Sequence, residues 1–307
     1  MLTPLVVGLL FFAYSAITAL IVVNNSKIFD TATNAKFEIG NFEIQQIDEK
    51  TNSVKWSLKA SQTQADQGQT QAKVTSPNLI FFNPLAKGAK TPQARFTITA
   101  DFAYLDKAEQ EVNLFDNVLL LTSDGKFQIR SGKLKFREEL PVIVVSDNWT
   151  LSSDSGYVIG GQKGLIDKDF KSIVSQTGAS LTKTKGSNPI NMTADEITLE
   201  SRGSQTVRAE GNAKLIISNT QTLIAHQIII NESGLVKANG AVNVKAQNLN
   251  CFSDHLVIKP NAGKTPQTAL FTGRPHIIQG ANTIYADTIT YDFATKQAQI
   301  VGNVHSE

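Results

Sequence analysis

Cysteine is almost absent from this 307-residue chain, because Cys251 is its single copy. One cysteine forms no internal disulfide and offers no companion ligands for a zinc site. Histidine is also rare and scattered, at His226, His255, His276 and His305. The sequence therefore predicts neither a disulfide scaffold nor a bound metal, and it leaves the redox compartment open.

Charged residues make up only 18% of the chain, and 29 Lys and Arg are balanced by 27 Asp and Glu. This balance lacks the basic signature of a nucleic-acid-binding protein. Thr (28), Asn (22) and Gln (20) together outnumber the charged residues, 70 to 56. Such a composition is typical of exposed strand faces and turns, and it excludes collagen, coiled coils and disordered chains.

Motifs of enzyme active sites are also missing. The glycines of Gly160-Gly161-x-x-Gly164 precede neither a helix-forming stretch nor the Lys-Ser/Thr pair of a phosphate loop. They predict a turn that ends a strand. No G-x-S-x-G sequence occurs, and the acidic residues lie mostly beside turns, so paired-carboxylate catalysis has no specific support. We expect a protein that is not an enzyme and has no cofactor.

One long apolar run is present, at the N-terminus. Leu5–Val23 carries no charge, and as a helix it would span about 28 Å, close to the thickness of the bilayer core. The basic start and clean cleavage site of a signal peptide are missing. The run predicts an uncleaved membrane anchor; a cleaved signal and a buried helix of a soluble protein are the alternatives.

The rest of the chain alternates apolar and polar residues with period two, which predicts half-buried β-strands. In the run from Phe96 to Tyr104, every second residue is apolar and predicts one buried face. Short turn signals rich in Gly, Asn and Asp separate such runs. The sequence therefore predicts an all-β protein.

The strands repeat. A unit with Ala-Asp near its start and Gly-Asn or Asp-Asn 16 or 17 residues after that Ala occurs at Ala100, Ala194 and Ala286, with degenerate copies between the last two. The polar stretch 183–189, which contains Gly and Pro, separates two regions that carry these repeats. The predicted organisation is an anchor (1–25), a first domain (26–182), a linker (183–189) and a second domain (190–307).

Three motifs of the first half follow one another in a specific order behind the apolar run. They are W-x-L-x-A (Trp56, Leu58, Ala60), A-D-x-x-Y (Ala100, Asp101, Tyr104) and N-V-x-L (Asn117, Val118, Leu120). In this order they resemble the membrane-anchored LptC group of periplasmic lipopolysaccharide-transport proteins. The Gly-rich close of that group is matched by Gly161, Gly164 and Leu165, but Lys168 stands where the group has its final acid.

The second half resembles the LptA/OstA group, whose repeats read A-D-x-I-x-Y…G-N-V. The matching residues are Ala286, Asp287, Ile289, Tyr291, Gly302, Asn303 and Val304. The two resemblances imply two stacked open β-jellyrolls of the OstA type behind one N-terminal transmembrane helix. They also imply a single-pass inner-membrane protein with most of the chain in the periplasm.

The resemblance further implies non-enzymatic lipopolysaccharide transport. The apolar interior would hold the acyl chains of lipid A, received from an inner-membrane ABC permease, and an edge strand would pair with a downstream jellyroll protein of the outer-membrane translocon. Candidates for the lipid groove are Trp56, Leu58, Phe96, Ile98, Phe102, Tyr104, Leu114, Val118, Leu120, Phe127, Ile129, Leu134 and Phe136. Candidates for the partner edge are Ile284, Ala286, Ile289, Tyr291 and Val304.

Two other functions fit a chain of repeated strands. A structural or adhesive cell-surface protein would fill its interior with a closed core, and any β-sandwich places the same apolar residues inside. A carbohydrate-active β-helix enzyme would show regular short coils and clustered carboxylates, and neither is visible. A lipid bound inside the protein distinguishes the transport function from both alternatives.

Overall fold

The computed structural model describes residues 37–48, 51, 53–65, 71–85, 91–106, 109, 111–137, 140–185, 190–201, 205–218, 221–246, 249–261 and 266–307. Every regular element in these ranges is a β-strand, which confirms the all-β prediction. The predicted anchor, residues 1–25, lies outside the described residues. Within the described ranges, no helix has the length and apolar character needed to cross a membrane.

The chain divides into two compact units, Met1–Asp147 and Asn148–Glu307. The strands of the first unit are β1 (Phe37–Asp48), β2 (Ser53–Ala65), β3 (Gln71–Thr75), β4 (Asn78–Phe82), β5 (Ala94–Thr99), β6 (Phe102–Asp106), β7 (Glu111–Thr122) and β8 (Phe127–Arg137). The unit boundary falls inside β9 (Val142–Ser153).

The first unit has two sheet layers. In the front layer, β2, β4, β5 and the second half of β7 pair in that order, all antiparallel. In the back layer, the end of β2 pairs with β3, β3 with β6, and β6 with the first half of β7. Strand β8 then pairs with β7 along both halves. Each layer therefore shares the long strands β2, β7 and β8 with the other.

The long strands bend where they pass from one layer to the other. In β7 the bend lies at Asp116 and Asn117, whose φ angles are 56° and 49°. The register with β8 shifts at the same place, between Phe115 and Val118. Two consecutive left-handed residues make a sharp β-bulge, and Asn, Asp and Gly adopt this conformation at the lowest cost. The Asp-Asn and Gly-Asn sequences of the repeats thus form the corners of the fold.

The acidic residue of each repeat has a partner at the corner. The Asn117 side chain donates a hydrogen bond to Asp101 over 2.8 Å, and Asn212 donates to Asp195 over 2.9 Å. At the last corner, the backbone N–H of Asn303 donates to the Asp287 carboxylate over 3.2 Å. The Asp of the Ala-Asp motif therefore accepts a hydrogen bond from the Asn of the Asp-Asn or Gly-Asn motif of the same repeat.

The run from Phe96 to Tyr104 is not one strand with one buried face. It forms β5 and β6, which are separated at Ala100 and Asp101. Ala103 is fully buried, whereas Phe102 is half-buried and Tyr104 is exposed. The prediction that Phe102 and Tyr104 share the buried face of Phe96 is wrong, because the chain changes layer at the corner and the alternation restarts there.

The second unit continues the same pattern. Its strands are β10 (Tyr157–Asp167), β11 (Ser172–Lys183), β12 (Ile190–Glu200), β13 (Thr206–Ser218), β14 (Gln221–Asn231), β15 (Val236–Ala246), β16 (Leu249–Pro260), β17 (Pro266–Thr272), β18 (His276–Gln279), β19 (Asn282–Tyr285), β20 (Thr288–Asp292), β21 (Gln297–Val301) and β22 (His305–Ser306). Successive strands from β10 to β16 pair antiparallel.

After β16 the two layers continue as separate short strands. One layer follows β16, β17, β20 and β21, and the other follows β16, β18, β19 and β22. The C-terminal edge of the described fold therefore consists of β21 in one layer and β22 in the other. Each unit is an antiparallel, jellyroll-like assembly of bent strands.

The polar stretch predicted as the linker, residues 183–189, lies within the second unit. It connects β11 to β12, which pair with each other from Lys183 and Ile190 onward. A polar segment with Gly and Pro suits a hairpin connection as well as a domain boundary. The assignment of separate domains to 26–182 and 190–307 stays a prediction.

The glycines at 160 and 161 do not end a strand, as the sequence predicts, but lie inside β10 at a shift of register with β11. A Cβ atom on Gly160 would stand 2.9 Å from the carbonyl oxygen of Trp149, and one on Gly161 would stand 3.1 Å from that of Gln176. These glycines therefore allow neighbouring backbones to approach closely at the bend.

Candidate functional site

The interior of the first unit is filled by apolar side chains from its two layers. Ten of the thirteen predicted groove residues point into it and are at most 9% exposed. They are Trp56, Leu58, Phe96, Ile98, Leu114, Val118, Leu120, Ile129, Leu134 and Phe136. Leu79 and Phe81 of β4 belong to the same lining, and their alternation within Asn78–Phe82 was the signal that sequence reasoning overlooked.

Aromatic rings join the two layers opposite the corner of β7. In the front layer, the ring of Phe81 lies 4.5 Å from the ring of its neighbour Phe96. It also lies 4.6 Å from the ring of Phe136, which belongs to the back layer. Phe96 and Phe136 pair with Thr122 and Val112, which are the two ends of β7. In a straight strand these ends would be about 33 Å apart.

The contact between Phe81 and Phe136 therefore exists only because β7 folds back on itself at Asp116 and Asn117. We call the open side of this fold, between Thr122 and Val112, the mouth of the first unit. Phe81 and Phe136 pack across the mouth and hold the two layers together there.

A cluster of charges lies beside the mouth on the back layer. The Glu111 carboxylate is 7% exposed and lies 2.5 Å from the Lys135 ammonium and 2.6 Å from the Arg137 guanidinium. Burial raises the pKa of Glu111, but hydrogen bonds from Lys135, Arg137 and Asn113 lower it more, so the net shift is downward. Arg137 also contacts Glu109 over 2.9 Å, and the cluster is close to neutral.

Three predicted groove residues differ from the other ten. Phe102 and Tyr104 lie on the outer surface of the back layer, where they pack with Phe115 at ring distances of 5.2–5.8 Å. Lys73 and Lys133 lie over two of these rings, 5.1 and 5.0 Å from their centroids. Phe127 is half-buried, at the start of β8.

A polar side chain that sequence reasoning missed also points into the first interior. Gln46 is 5% exposed, and neither atom of its amide has a hydrogen-bond partner among the described residues. It continues the alternation of Phe42 and Ile44 along β1 and pairs with Trp56. The sequence indicated its burial only through its place two residues after Ile44, in the alternating series of β1.

The second unit encloses an apolar interior of its own. Its large apolar side chains without measurable exposure are Trp149, Leu151, Ile159, Ile166, Ile173, Leu181, Ile197, Leu223, Ile228 and Ile258. Cys251 lies in this interior, where burial raises the pKa of its thiol to about 12. The thiol therefore stays protonated and unreactive in the folded protein.

The predicted partner-edge residues lie mostly one strand inside the C-terminal edge. Ile284 belongs to β19, Ile289 and Tyr291 belong to β20, and Ala286 lies between these strands. Only Val304, which connects β21 to β22 and is 56% exposed, lies at the edge itself. In the described ranges, β21 pairs only with β20 and β22 only with β19, so both present one free edge.

Comparison with known families supports the assignment of the first half. Residues 12–161 match the model of a family described as lipopolysaccharide-assembly, LptC-related. The match covers just under half of the chain and ends within β10, at the glycine pair of its bend. No curated protein matches the chain. The similarity of the second half to LptA/OstA proteins stays a prediction.

The match associates the chain with lipopolysaccharide assembly in general. Residues 12–161 thus form a region similar to the LptC-related lipopolysaccharide-assembly family.

Proposed function

We propose that this protein moves lipopolysaccharide across the periplasm without chemical change, with the acyl chains of the lipid held inside its β-jellyroll units. The observation that carries the proposal is the interior of the first unit, which lies within the region similar to LptC and is lined by apolar side chains from β2 to β8. Transfer of an acyl chain from water into such a space is favourable by about 0.8 kcal/mol for each buried CH₂ group.

The mouth is the proposed point of entry. The layers are continuous at the corner of β7, whereas on the opposite side they are joined by the packing of Phe81 against Phe136. Side-chain packing separates more readily than a covalent bend. A lipid therefore enters when these two rings move apart, and its acyl chains replace the contacts that the rings lose.

The apolar run Leu5–Val23 anchors the chain in the inner membrane beside an ABC permease, which extrudes the lipid into the first unit. The energy for extraction comes from the ATPase of that permease, because the sequence of this chain has no nucleotide-binding motif. The second unit receives the lipid and passes it on to a downstream jellyroll protein. The free edge of β21 and β22 is the proposed docking point, where a partner strand would extend both layers.

A photo-crosslinking amino acid at Leu120 and, separately, at Leu121 tests lipid binding. The two positions carry the same side chain and are adjacent in β7, but Leu120 is buried inside and Leu121 is 43% exposed on the outer surface. In cells, we expect adducts with lipopolysaccharide from position 120 and not from position 121. Position 129 repeats the test from β8, since Ile129 is also buried inside.

A structural β-repeat protein with a closed core is the second candidate. The observation in its favour is the near-complete burial of the interior side chains, such as Ile98 and Leu114, which are not measurably exposed. The same crosslinking experiment decides between the two functions. Absence of lipid adducts from positions 120 and 129, in a folded chain that reaches the periplasm, would contradict transport and support the closed core.

A further inference from the structure

Four aromatic side chains form a ladder that ends at the C-terminal edge. Phe252, His276, Tyr285 and His305 are direct cross-strand neighbours on β16, β18, β19 and β22. Their ring centroids are 5.0, 5.2 and 4.9 Å apart in this order, and the first and last pairs are stacked within 11° of parallel. We call this series the ring ladder.

The ring ladder is confined to the strands nearest the edge. The register of the sheet extends its row back through β15, β14, β13 and β12. The residues of the row on those strands are Asn243, Ile224, Lys214 and Thr193. None of them carries a ring, so aromatic stacking begins at Phe252 and continues without a break to His305.

The backbone at the edge determines how a further strand would pair there. Thr283 and Glu307 exchange two backbone hydrogen bonds, each of 3.0 Å. Since hydrogen-bonded and non-hydrogen-bonded pairs alternate along an antiparallel ladder, His305 directs its N–H and C=O groups toward Tyr285 on β19. The N–H and C=O groups of Ser306 therefore point toward the free edge.

On the free side, a residue opposite His305 would belong to a non-hydrogen-bonded pair. The Cα atoms of such pairs are only about 4.5 Å apart, and their side chains approach more closely than in the hydrogen-bonded pairs. His305 is stacked on Tyr285 on one side, and its other ring face is directed to the position of the next strand. His276 is the precedent inside the molecule for a histidine between two rings, because its ring lies between those of Phe252 and Tyr285.

We propose that the free edge of β22 selects a partner strand with an aromatic side chain, Tyr or Phe, directly opposite His305. The partner ring would become the fifth member of the ring ladder, and His305 would then lie between two carbocyclic rings as His276 does. This inference rests on the proposed docking of a partner at the β21 and β22 edge. It adds to that proposal the register of the added strand and the chemistry of one of its residues.

A pair of synthetic peptides tests the selection. Both have the sequence of residues 282–292, the segment that pairs with β21 and β22 inside the molecule, with Tyr291→Ser so that Tyr285 is their single ring, and the second also carries Tyr285→Ser. Binding to the full chain in detergent micelles is measured by fluorescence anisotropy. A photo-crosslinking amino acid at position 304 shows whether the peptide lies at the edge. We expect the Tyr peptide to bind about two- to tenfold more tightly, which corresponds to the free energy of one aromatic pair.

Variants of the chain show whether His305 is the source of the difference. His305→Ser should abolish the preference for the Tyr peptide, whereas His305→Phe should retain it because a ring remains. His226→Ser is the matched control, since His226 is exposed on β14 outside the ring ladder, and it should leave the preference unchanged.

Two negative results have different meanings. Equal binding of both peptides at the edge would overturn the aromatic selection while leaving the docking edge intact. No crosslinked peptide at position 304 would overturn the docking edge itself and, with it, this inference.

Discussion

At the scale of single residues, the corners explain why the sequence repeats. At Asp116-Asn117 and at Gly211-Asn212 two consecutive left-handed residues favour Gly, Asn and Asp, and at Gly211 the side chain of Asp195 packs against the same point. A Cβ atom on Gly211 would stand 2.8 Å from that of Asp195, and one on Gly273 would be equally close to that of Asp254. Glycine is therefore required by both the φ angle and the close approach of the neighbouring strand.

The substitution Gly211→Ala separates these two requirements when it is compared with Gly125→Ala. Both glycines have φ near 71°, but no atom lies within 4 Å of a Cβ on Gly125. We expect Gly125→Ala to lower the free energy of unfolding by about 1–2 kcal/mol, and Gly211→Ala by about 2–4 kcal/mol because the Asp195 side chain must also move. Urea unfolding of the two variants measures the difference. Equal losses would show that the contact with Asp195 adds nothing.

The Glu111 cluster predicts a pH dependence of stability. The pKa of Glu111 in the folded protein is below its ordinary value of 4.5, so its contacts stabilise the fold fully above that pH and are lost as the pH falls through the lowered pKa. We expect Glu111→Gln to lower the free energy of unfolding by about 1–2 kcal/mol at pH 7, because Lys135 and Arg137 are partly exposed to solvent.

The loss should shrink as the pH falls from 4.5 through the lowered pKa, because the carboxyl becomes protonated first in the unfolded chain and then in the folded protein. Glu109→Gln is the control, because Glu109 is 59% exposed and contacts the same arginine. Its effect should stay within about 0.5 kcal/mol. An unfolding difference for Glu111→Gln that does not change between pH 7 and pH 3 would contradict the role of the charge.

At the scale of strands, the bend of β7 creates both the interior and the mouth. The first half of β7 pairs with β6 and the second half with β5, so one strand belongs to both layers. This arrangement places Phe81 and Phe136 in contact although β4 and β8 are not neighbours in either layer. The position of the mouth therefore depends on the order in which the strands pair. The position of the corner depends on the local sequence Asp116-Asn117.

The substitution Phe136→Ala should weaken the mouth. We expect it to lower the free energy of unfolding by about 3–5 kcal/mol, the usual cost of a buried Phe→Ala change. It should also increase the acrylamide quenching of Trp56, which pairs with Phe81, in a chain that carries Trp149→Phe. Phe115→Ala is the control, since Phe115 is half-buried on the outer surface. It should leave the quenching of Trp56 unchanged; an equal effect of both variants would contradict a mouth at Phe136.

At the scale of the whole molecule, the predicted attachment to the membrane depends on residues outside the described fold. The apolar run Leu5–Val23 is predicted to hold the chain in the inner membrane. We expect the full chain to remain in the membrane pellet after extraction with alkaline carbonate, and a chain without residues 1–25 to be released. A protein found in the soluble fraction with its N-terminus removed would support the alternative of a cleaved signal.

Much of the architecture could be predicted from the sequence because it depends on neighbouring residues. Alternation with period two predicted strands, and ten of the thirteen groove candidates are buried, whereas their role in a lipid groove stays a prediction. Phe102 and Tyr104 were misplaced because alternation predicts a face only within one strand. At Ala100 and Asp101 the chain passes from β5 to β6, and the alternation of buried residues starts again in β6. In the sequence this corner is marked only by the short Ala-Asp motif.

The sequence by itself determined that this is a β protein and, within single strands, which apolar residues are buried, because strand alternation acts over a few residues. The tertiary structure decided which strands share a layer, that Phe81 meets Phe136, and that β21 and β22 form the free edge. These features depend on pairing between strands far apart in the chain. Such pairing is selected by the packing of whole faces, and no local pattern specifies it.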